Sequence, residues 1–146
     1  DAQIAAIVVT ANQVDIDAGK LAASSASDPQ VKAFGNQMVT DHTGVNKQAT
    51  DLVTKLGVTP EDNATAQSLK SGGAENVKTL SGLKGAAFDR AYVDHEIAYH
   101  QQVLDALDTT LIPSAQNAEL KALLVKVRPA FVAHLEHAKM VQKSLK

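Results

Sequence analysis

Apolar residues recur along this chain at alternating steps of three and four, the spacing that places side chains on one face of an α-helix. Four segments carry such a stripe, and we name them predicted helices A to D. They run from about Gln3 to Ser25, Pro29 to Leu56, Ala86 to Thr110 and Ala115 to Leu145. Strand-type alternation is missing from the sequence. The pattern therefore predicts an all-α protein.

The links between the predicted helices differ in length. The A–B link at Ser27–Pro29 and the C–D link near Pro113 are short, so each of those pairs should be antiparallel. The B–C link, residues 57–85, is too long for a bare loop and should carry one or two short helices. We expect one domain over residues 1–146, a ferritin-like four-helix bundle with a long B–C crossover in which helices B and C run the same way.

Each predicted helix has one ligand-type residue on its apolar stripe. These residues are Asp15, His42, His100 and His134. At about 1.5 Å of rise per residue, with B and C parallel, His42 and His100 lie about 20 and 21 Å from the starts of their helices. Asp15 and His134 lie about 17 Å from the ends of theirs. The four side chains should therefore meet at one height in the bundle.

Two further carboxylates belong to this group. Glu96 precedes His100 by one helical turn and could be a ligand, and Asp41 could orient His42 or another imidazole from outside the ligand set. Imidazole and carboxylate groups converging in an apolar bundle suit a divalent transition metal ion, with zinc favoured and iron, copper or manganese as alternatives. The Glu-x-x-His pairs of di-iron bundle sites do not occur in this chain, which argues against an iron-storage or di-iron oxidase function.

Other interpretations of the histidines stay open. A buried histidine is more often hydrogen-bonded in a core than bound to a metal, and Asp15 could be exposed if the neighbouring Val14 stripe faces the core. The alternative function is then a non-catalytic structural or stress-related interaction bundle. An oxidase or other redox enzyme is a third hypothesis, which would require an open metal position and access for a substrate. Because the sequence indicates no substrate, a non-enzymatic function is favoured.

Composition excludes several classes of function. The chain has no cysteine, so thiolate sites and disulfides are impossible. The net charge of −2 and the scarcity of aromatic residues argue against nucleic-acid binding. No apolar run is long enough to span a membrane. The chain begins inside a helical pattern without methionine, as it would after removal of a signal peptide or other shortening.

Several motifs together resemble one bacterial family, the domain-of-unknown-function family 4142. They are Met38-Val39-Thr40-Asp41-His42, Phe88-Asp89-Arg90-Ala91-Tyr92-Val93, His100, His134-Leu135 and Ala138. Helix A adds Asp15-Ile16 and Leu21-Ala22, where the family tends to have glutamate. The resemblance implies a ferritin-like bundle that is exported to the periplasm, with recurring histidines at His42, His100 and His134. It implies no activity.

The resulting expectation is an exported metal-binding bundle, monomeric or weakly dimeric. The predicted ligands are His42, His100, His134, Glu96 and Asp15, with Asp41 supporting them. The metal ion is the expected partner.

Overall fold

The computed structural model describes residues 1–145, and all of their regular structure is helical. The helices are α1 (Ala2–Ser25), α2 (Pro29–Lys55), α3 (Ala64–Ser81), α4 (Gly85–Ala106), a π-helical turn (Leu107–Leu111), α5 (Ile112–Ser114) and α6 (Ala118–Ser144). No strand occurs within residues 1–145. The prediction of an all-α protein is confirmed.

A buried carboxylate fixes the short link between α1 and α2. Asp89, on α4, accepts hydrogen bonds from the backbone N–H groups of Ser27 and Asp28, both at 2.9 Å. Asp28 in turn caps α2 by accepting from the N–H groups of Gln30 and Val31. These contacts satisfy donors that a helix start leaves unpaired. They also tie the first helical pair to α4.

The long link between α2 and α4 was expected to carry one or two short helices. It contains one continuous helix, α3, which packs along α1. The glycines at positions 72 and 73 do not break it. A Cβ atom on Gly73 would lie 2.7 Å from Cγ1 of Val14, so this glycine permits the close approach of α3 to α1.

The link between predicted helices C and D also differs from expectation. Helix α4 ends at Ala106 and continues as the π-helical turn, and the last long helix begins at Ala118 rather than Ala115. The Asn117 side chain caps that helix by accepting from the N–H groups of Glu119 and Leu120. An Asn cap two residues beyond the predicted start explains why the helix begins three residues later.

Contacts between side chains show how the long helices run. Phe34 meets Tyr92 and His42 meets His100, with the same numerical offset, so α2 and α4 run in the same direction. Helix α6 runs opposite to α4, because His100 meets His134 and Asp94 accepts a hydrogen bond from Gln142.

Two apolar clusters lie on either side of a layer of polar residues. We call them the Leu107 half and the Phe34 half, after a buried member of each. The Leu107 half includes Val8, Val103, Leu107, Leu124 and Phe131. The Phe34 half includes Ala22, Phe34, Met38, Tyr92 and Ala138. The polar layer consists of Asn12, Asp15, His42, Glu96, His100 and His134, all of them buried.

Candidate metal centre

The five residues predicted as metal ligands lie together in the polar layer, one or two from each of four helices. The side chain of Glu96 is 0 % exposed, Asp15, His42 and His100 are 1 % exposed, and His134 is 3 % exposed. The apolar stripes bury these side chains because each polar residue replaces one apolar residue in the series. Asp15 is therefore a core residue, and the alternative in which it faces solvent is wrong.

Asn12 holds the imidazole of His42. Nδ1 of His42 lies 2.8 Å from Oδ1 of Asn12, and Nδ2 of Asn12 lies 3.3 Å from Oδ1 of Asn46. The amide oxygen of Asn12 can only accept a hydrogen bond, so Nδ1 of His42 is the donor. Nε2 of His42 is then the ring nitrogen that remains available as a ligand.

The other two histidines are held in the same way. Nδ1 of His100 donates to the backbone carbonyl of Glu96 at 2.9 Å, and Nε2 of His134 donates to Oδ2 of Asp41 at 2.8 Å. Both acceptors lack a hydrogen to give, which fixes the tautomer of each ring. Asp41, whose side chain is 39 % exposed, thus orients His134 rather than His42.

The remaining ring nitrogen of each histidine lies in the layer and forms no hydrogen bond. Nε2 of His42, Nε2 of His100 and Nδ1 of His134 are buried and have no hydrogen-bond partner with acceptable angles. The three imidazoles offer ring nitrogens within 4.8 Å of one another. Unpaired buried polar atoms of this kind are rare, because each costs about 1–3 kcal/mol.

Carboxylate oxygens complete the cluster. Oδ2 of Asp15 lies 2.8 Å from Nε2 of His42 and 3.7 Å from Nε2 of His100. It also lacks a hydrogen-bond partner with acceptable angles, as do both oxygens of Glu96. Asp15, Glu96 and His100 form a second group whose ligand atoms lie within 4.8 Å of one another. His100 belongs to both groups, so the two carboxyl groups adjoin the histidine cluster.

Burial favours the neutral form of His100 and of His134. It lowers the pKa of His100 to about 4, although the nearby charge of Asp15 opposes the shift. Burial also lowers the pKa of His134, although the hydrogen bond that its ring donates to Asp41 opposes the shift. Neutral imidazole is the form that binds a metal ion, so the layer holds these rings ready for ligation.

The two carboxyl groups are pushed in opposite directions. Burial and the neighbouring charge of Asp15 raise the pKa of Glu96 well above its ordinary value. Burial also opposes ionisation of Asp15, but the adjacent His42 and His100 side chains and a contact with Glu96 outweigh it, and the pKa of Asp15 lies below its usual range. Without a further cation the layer thus favours one charged carboxylate, Asp15, and one neutral carboxylic acid, Glu96.

The sequence patterns did not single out Asn12. It lies one turn before Asp15, and that spacing on a helix with a buried carboxylate was the available signal. Tyr99 behaves as expected for a packing residue with a polar tip, since its hydroxyl donates to the carbonyl of Ala11 at 2.9 Å. The hydroxyl of Tyr92 is buried without a partner.

The structure thus defines a helical bundle with a buried group of histidine and carboxylate side chains that could hold a metal ion. The chain belongs to the family described as "Domain of unknown function (DUF4142)", whose family model matches residues 1–141. Neither the curated proteins nor the solved structures contain a significant match. Within residues 1–145, no helix combines the length and the apolar character needed to cross a membrane.

Proposed function

We propose that this protein binds one divalent transition metal ion through His42, His100, His134 and Asp15. One observation carries the proposal. In each of the three imidazoles one nitrogen is held by an acceptor-only partner and the other nitrogen is buried in the polar layer without a hydrogen bond. Metal-binding histidines typically show this division, because an outer hydrogen bond fixes the ring while the second nitrogen binds the ion.

The spacing of the ligand atoms supports the proposal. Neighbouring ligands of a tetrahedral zinc ion lie about 3.3 Å apart, given bonds of about 2.0–2.1 Å. The distances from Oδ2 of Asp15 to the Nε2 atoms of His42 and His100 are 2.8 and 3.7 Å, on either side of that value. The three imidazole nitrogens lie within 4.8 Å of one another, so we expect small side-chain movements to bring them to this spacing around an ion.

Charge balance supports a divalent ion and gives Glu96 a role. Within residues 1–145, Asp15 and Glu96 have no ion-pair partner other than a histidine. A buried carboxylate without a matching cation is costly. A divalent ion beside Asp15 would favour ionisation of Glu96, and the two carboxylates would then balance its charge. Ionised Glu96 would then balance the charge from beside the four ligands and would be available as a fifth.

The donor set favours zinc. Three imidazoles and one carboxylate oxygen make a four-coordinate set that suits zinc, while iron, copper and manganese accept similar ligands with more positions filled. Glu96 as a fifth ligand would favour one of these alternatives.

Metal titration of the isolated protein tests the proposal. We expect one equivalent of zinc to bind to the metal-free protein and to raise its melting temperature. At one hundred times the dissociation constant the gain in unfolding free energy should be about 2.7 kcal/mol. His100→Leu should abolish the gain. His137→Leu is the matched control, because His137 packs against Phe34 outside the polar layer.

The alternative is a non-catalytic structural or stress-related interaction bundle. Its support is that every core histidine has one hydrogen bond in the absence of an ion. If neither zinc, copper, iron nor manganese changes the melting temperature, and His100→Leu folds with unchanged stability, the metal proposal is overturned in favour of this alternative.

The outer hydrogen bonds give a finer test. Asn12→Ala and Asp41→Ala should each lower metal affinity by about 10–100-fold, since they release an imidazole from its fixed orientation. Asn36→Ala, an exposed position on α2, should leave the affinity unchanged. Equal affinities in all three variants would show that these contacts do not support a metal site.

The proposal extends to fold type, location and assembly. The parallel direction of α2 and α4, joined by a long link, supports a ferritin-like connectivity. The family resemblance supports export to the periplasm, which fractionation of cells making the complete gene product would test. Within residues 1–145 only Val125 and Met140 are large exposed apolar side chains, which supports a monomer or weak dimer and can be checked by analytical ultracentrifugation.

A further inference from the structure

A small apolar cavity lies in the Leu107 half, between α1, α3, α4 and α6. Its volume is about 60 Å³, and its walls are almost entirely aliphatic or aromatic. The polar side chains that line it, Thr65 and Gln102, are exposed and mark its outer rim. The cavity therefore reaches from the surface of the bundle into its core.

The inner end of the cavity adjoins the polar layer. Phe131 lines the cavity, and its ring centroid lies 5.2 Å from that of His42 and 6.0 Å from that of His100. Ala11 also lines the cavity, one residue before the asparagine that holds His42. A single aromatic ring thus separates the cavity from two of the proposed ligands.

The π-helical turn shapes the opposite wall. Leu107 and Leu111, at the two ends of this turn, both line the cavity. π-Helical turns are rare and frequently occur at functional sites, because the extra residue displaces side chains from regular helical packing. The turn thus forms part of the wall of a cavity that adjoins the polar layer.

The chemistry of the walls selects the occupant. A water molecule needs about 10–15 Å³ and two to four polar partners, and the inner walls offer volume without partners. An apolar cavity of about 150 Å³ holds benzene or xenon, so one less than half that size suits a molecule of only a few atoms. Dioxygen and xenon have the appropriate size and polarity.

We propose that this cavity is a binding site for a small apolar molecule of about the size of dioxygen, held one aromatic ring from the metal centre. The binding itself depends only on the cavity. The role of the bound molecule as a neighbour of a metal ion rests on the proposed function.

Xenon binding to the metal-free protein tests the cavity. We expect saturable binding, followed by xenon NMR and located in a xenon-pressurised crystal beside Phe131. Ala106→Leu, which places a larger side chain on the cavity wall, should weaken binding at least tenfold, and Val127→Phe fills the cavity from α6 if the first variant does not fold. Ala98→Leu, an exposed substitution on the same helix α4, should bind xenon like the wild type. Absence of xenon, ordered water in its place, or equal binding in the filled variants would overturn the proposal.

A paramagnetic metal ion tests the link to the metal centre. In protein loaded with cobalt(II), the signal of bound xenon should be shifted and broadened relative to zinc-loaded protein. If cobalt binds and the xenon signal does not change, the placement of the cavity beside the metal is overturned. If no metal binds while metal-free protein still takes up xenon, the proposed function fails and the apolar binding site stands.

Discussion

The two apolar halves of the bundle are packed differently. In the Phe34 half no member is more than 4 % exposed, and Phe34, Met38, Phe88, Tyr92 and Val93 are all at 0 %. In the Leu107 half exposures reach 8 %, and the cavity and the π-helical turn both lie there. The same four long helices thus form a tight end and a loose end.

Backbone contact explains the tight end. A Cβ atom on Gly19 would lie 2.8 Å from the carbonyl oxygen of Gly35, and one on Gly35 would lie 2.9 Å from that of Gly19. Helices α1 and α2 can touch there only because neither residue has a side chain. The close approach sets the register of α1 on α2, and with it the position of Asp15 opposite His42.

The difference in packing indicates that the two halves have different structural roles. A rigid half beside the polar layer keeps the four proposed ligands, one from each of α1, α2, α4 and α6, at fixed positions. The looser half on the other side of the layer leaves space for a small molecule. A site that must hold an ion and admit a ligand needs both properties, and uniform packing would provide only the first.

The largest expected effect concerns the polar layer between the halves. Because the pKa of His100 is about 4 in the folded protein and 6.5 ordinarily, the unfolded chain gains a proton here between about pH 6.5 and 4 that the folded protein does not. Stability of the metal-free protein should therefore fall by about 3 kcal/mol as pH decreases through this window. Urea unfolding at several pH values measures the free energy of unfolding of the wild type and of His100→Gln. The difference between the two proteins should not vary with pH if burial of His100 is unimportant.

Larger side chains should destabilise the two halves to different extents. Ala138 is 0 % exposed in the Phe34 half, and Ala138→Leu should lower the free energy of unfolding by about 2–3 kcal/mol. Ala106→Leu, beside the cavity, should change it by less than about 1 kcal/mol, since space exists there. Equal losses in urea denaturation would mean that the halves are packed alike.

The glycine contact gives the next effect. Gly35→Ala should destabilise the protein by about 2 kcal/mol, because the new methyl group would meet the backbone of α1. Gly44→Ala is the matched control on the same helix, where a Cβ would meet nothing within 4 Å. That variant should gain about 0.5–1 kcal/mol from helix propensity. A stable Gly35→Ala protein would refute the backbone contact.

The smallest effect should appear in local dynamics. Amide hydrogen exchange at Leu107 and Leu111 should be at least about tenfold faster than at Val93, a local stability difference of about 1.4 kcal/mol. Filling the cavity with Ala106→Leu should narrow this ratio. Uniform protection along α4 and the π-helical turn would contradict a loose half.

Much of the candidate site was accessible from helical periodicity. Asp15, His42, His100 and His134 interrupt apolar stripes, and their comparable heights predicted that they meet, because rise per residue is nearly constant in an α-helix. Asn12 was missed because it lies off that stripe. Asp41 was expected to orient His42 or another imidazole, and its hydrogen bond with His134 depends on how α2 and α6 face each other. The role of the histidines and of Asp15 and Glu96 as metal ligands stays a prediction.

In the fold, too, local signals predicted some features and only tertiary contacts explain others. The bounds of α1 and α2 follow from local signals, namely the cap at Asp28 and Pro29, and they were predicted within about one residue. The continuity of helix α3 was not predicted, because Gly72 and Gly73 favour a break locally. The close contact with Val14 accounts for Gly73, whereas a Cβ atom on Gly72 would meet nothing within 4 Å. The π-helical turn was also missed, because it has no sequence signature of its own.

The order of residues alone established the helical class, four of the long helical segments and the polar residues that interrupt their stripes, because these follow from periodicity within a single helix. Which nitrogen of each histidine is free, which partner holds it and where the core leaves a cavity depended on tertiary structure. These features arise where side chains from different helices meet, and no spacing along one helix specifies the distance to another.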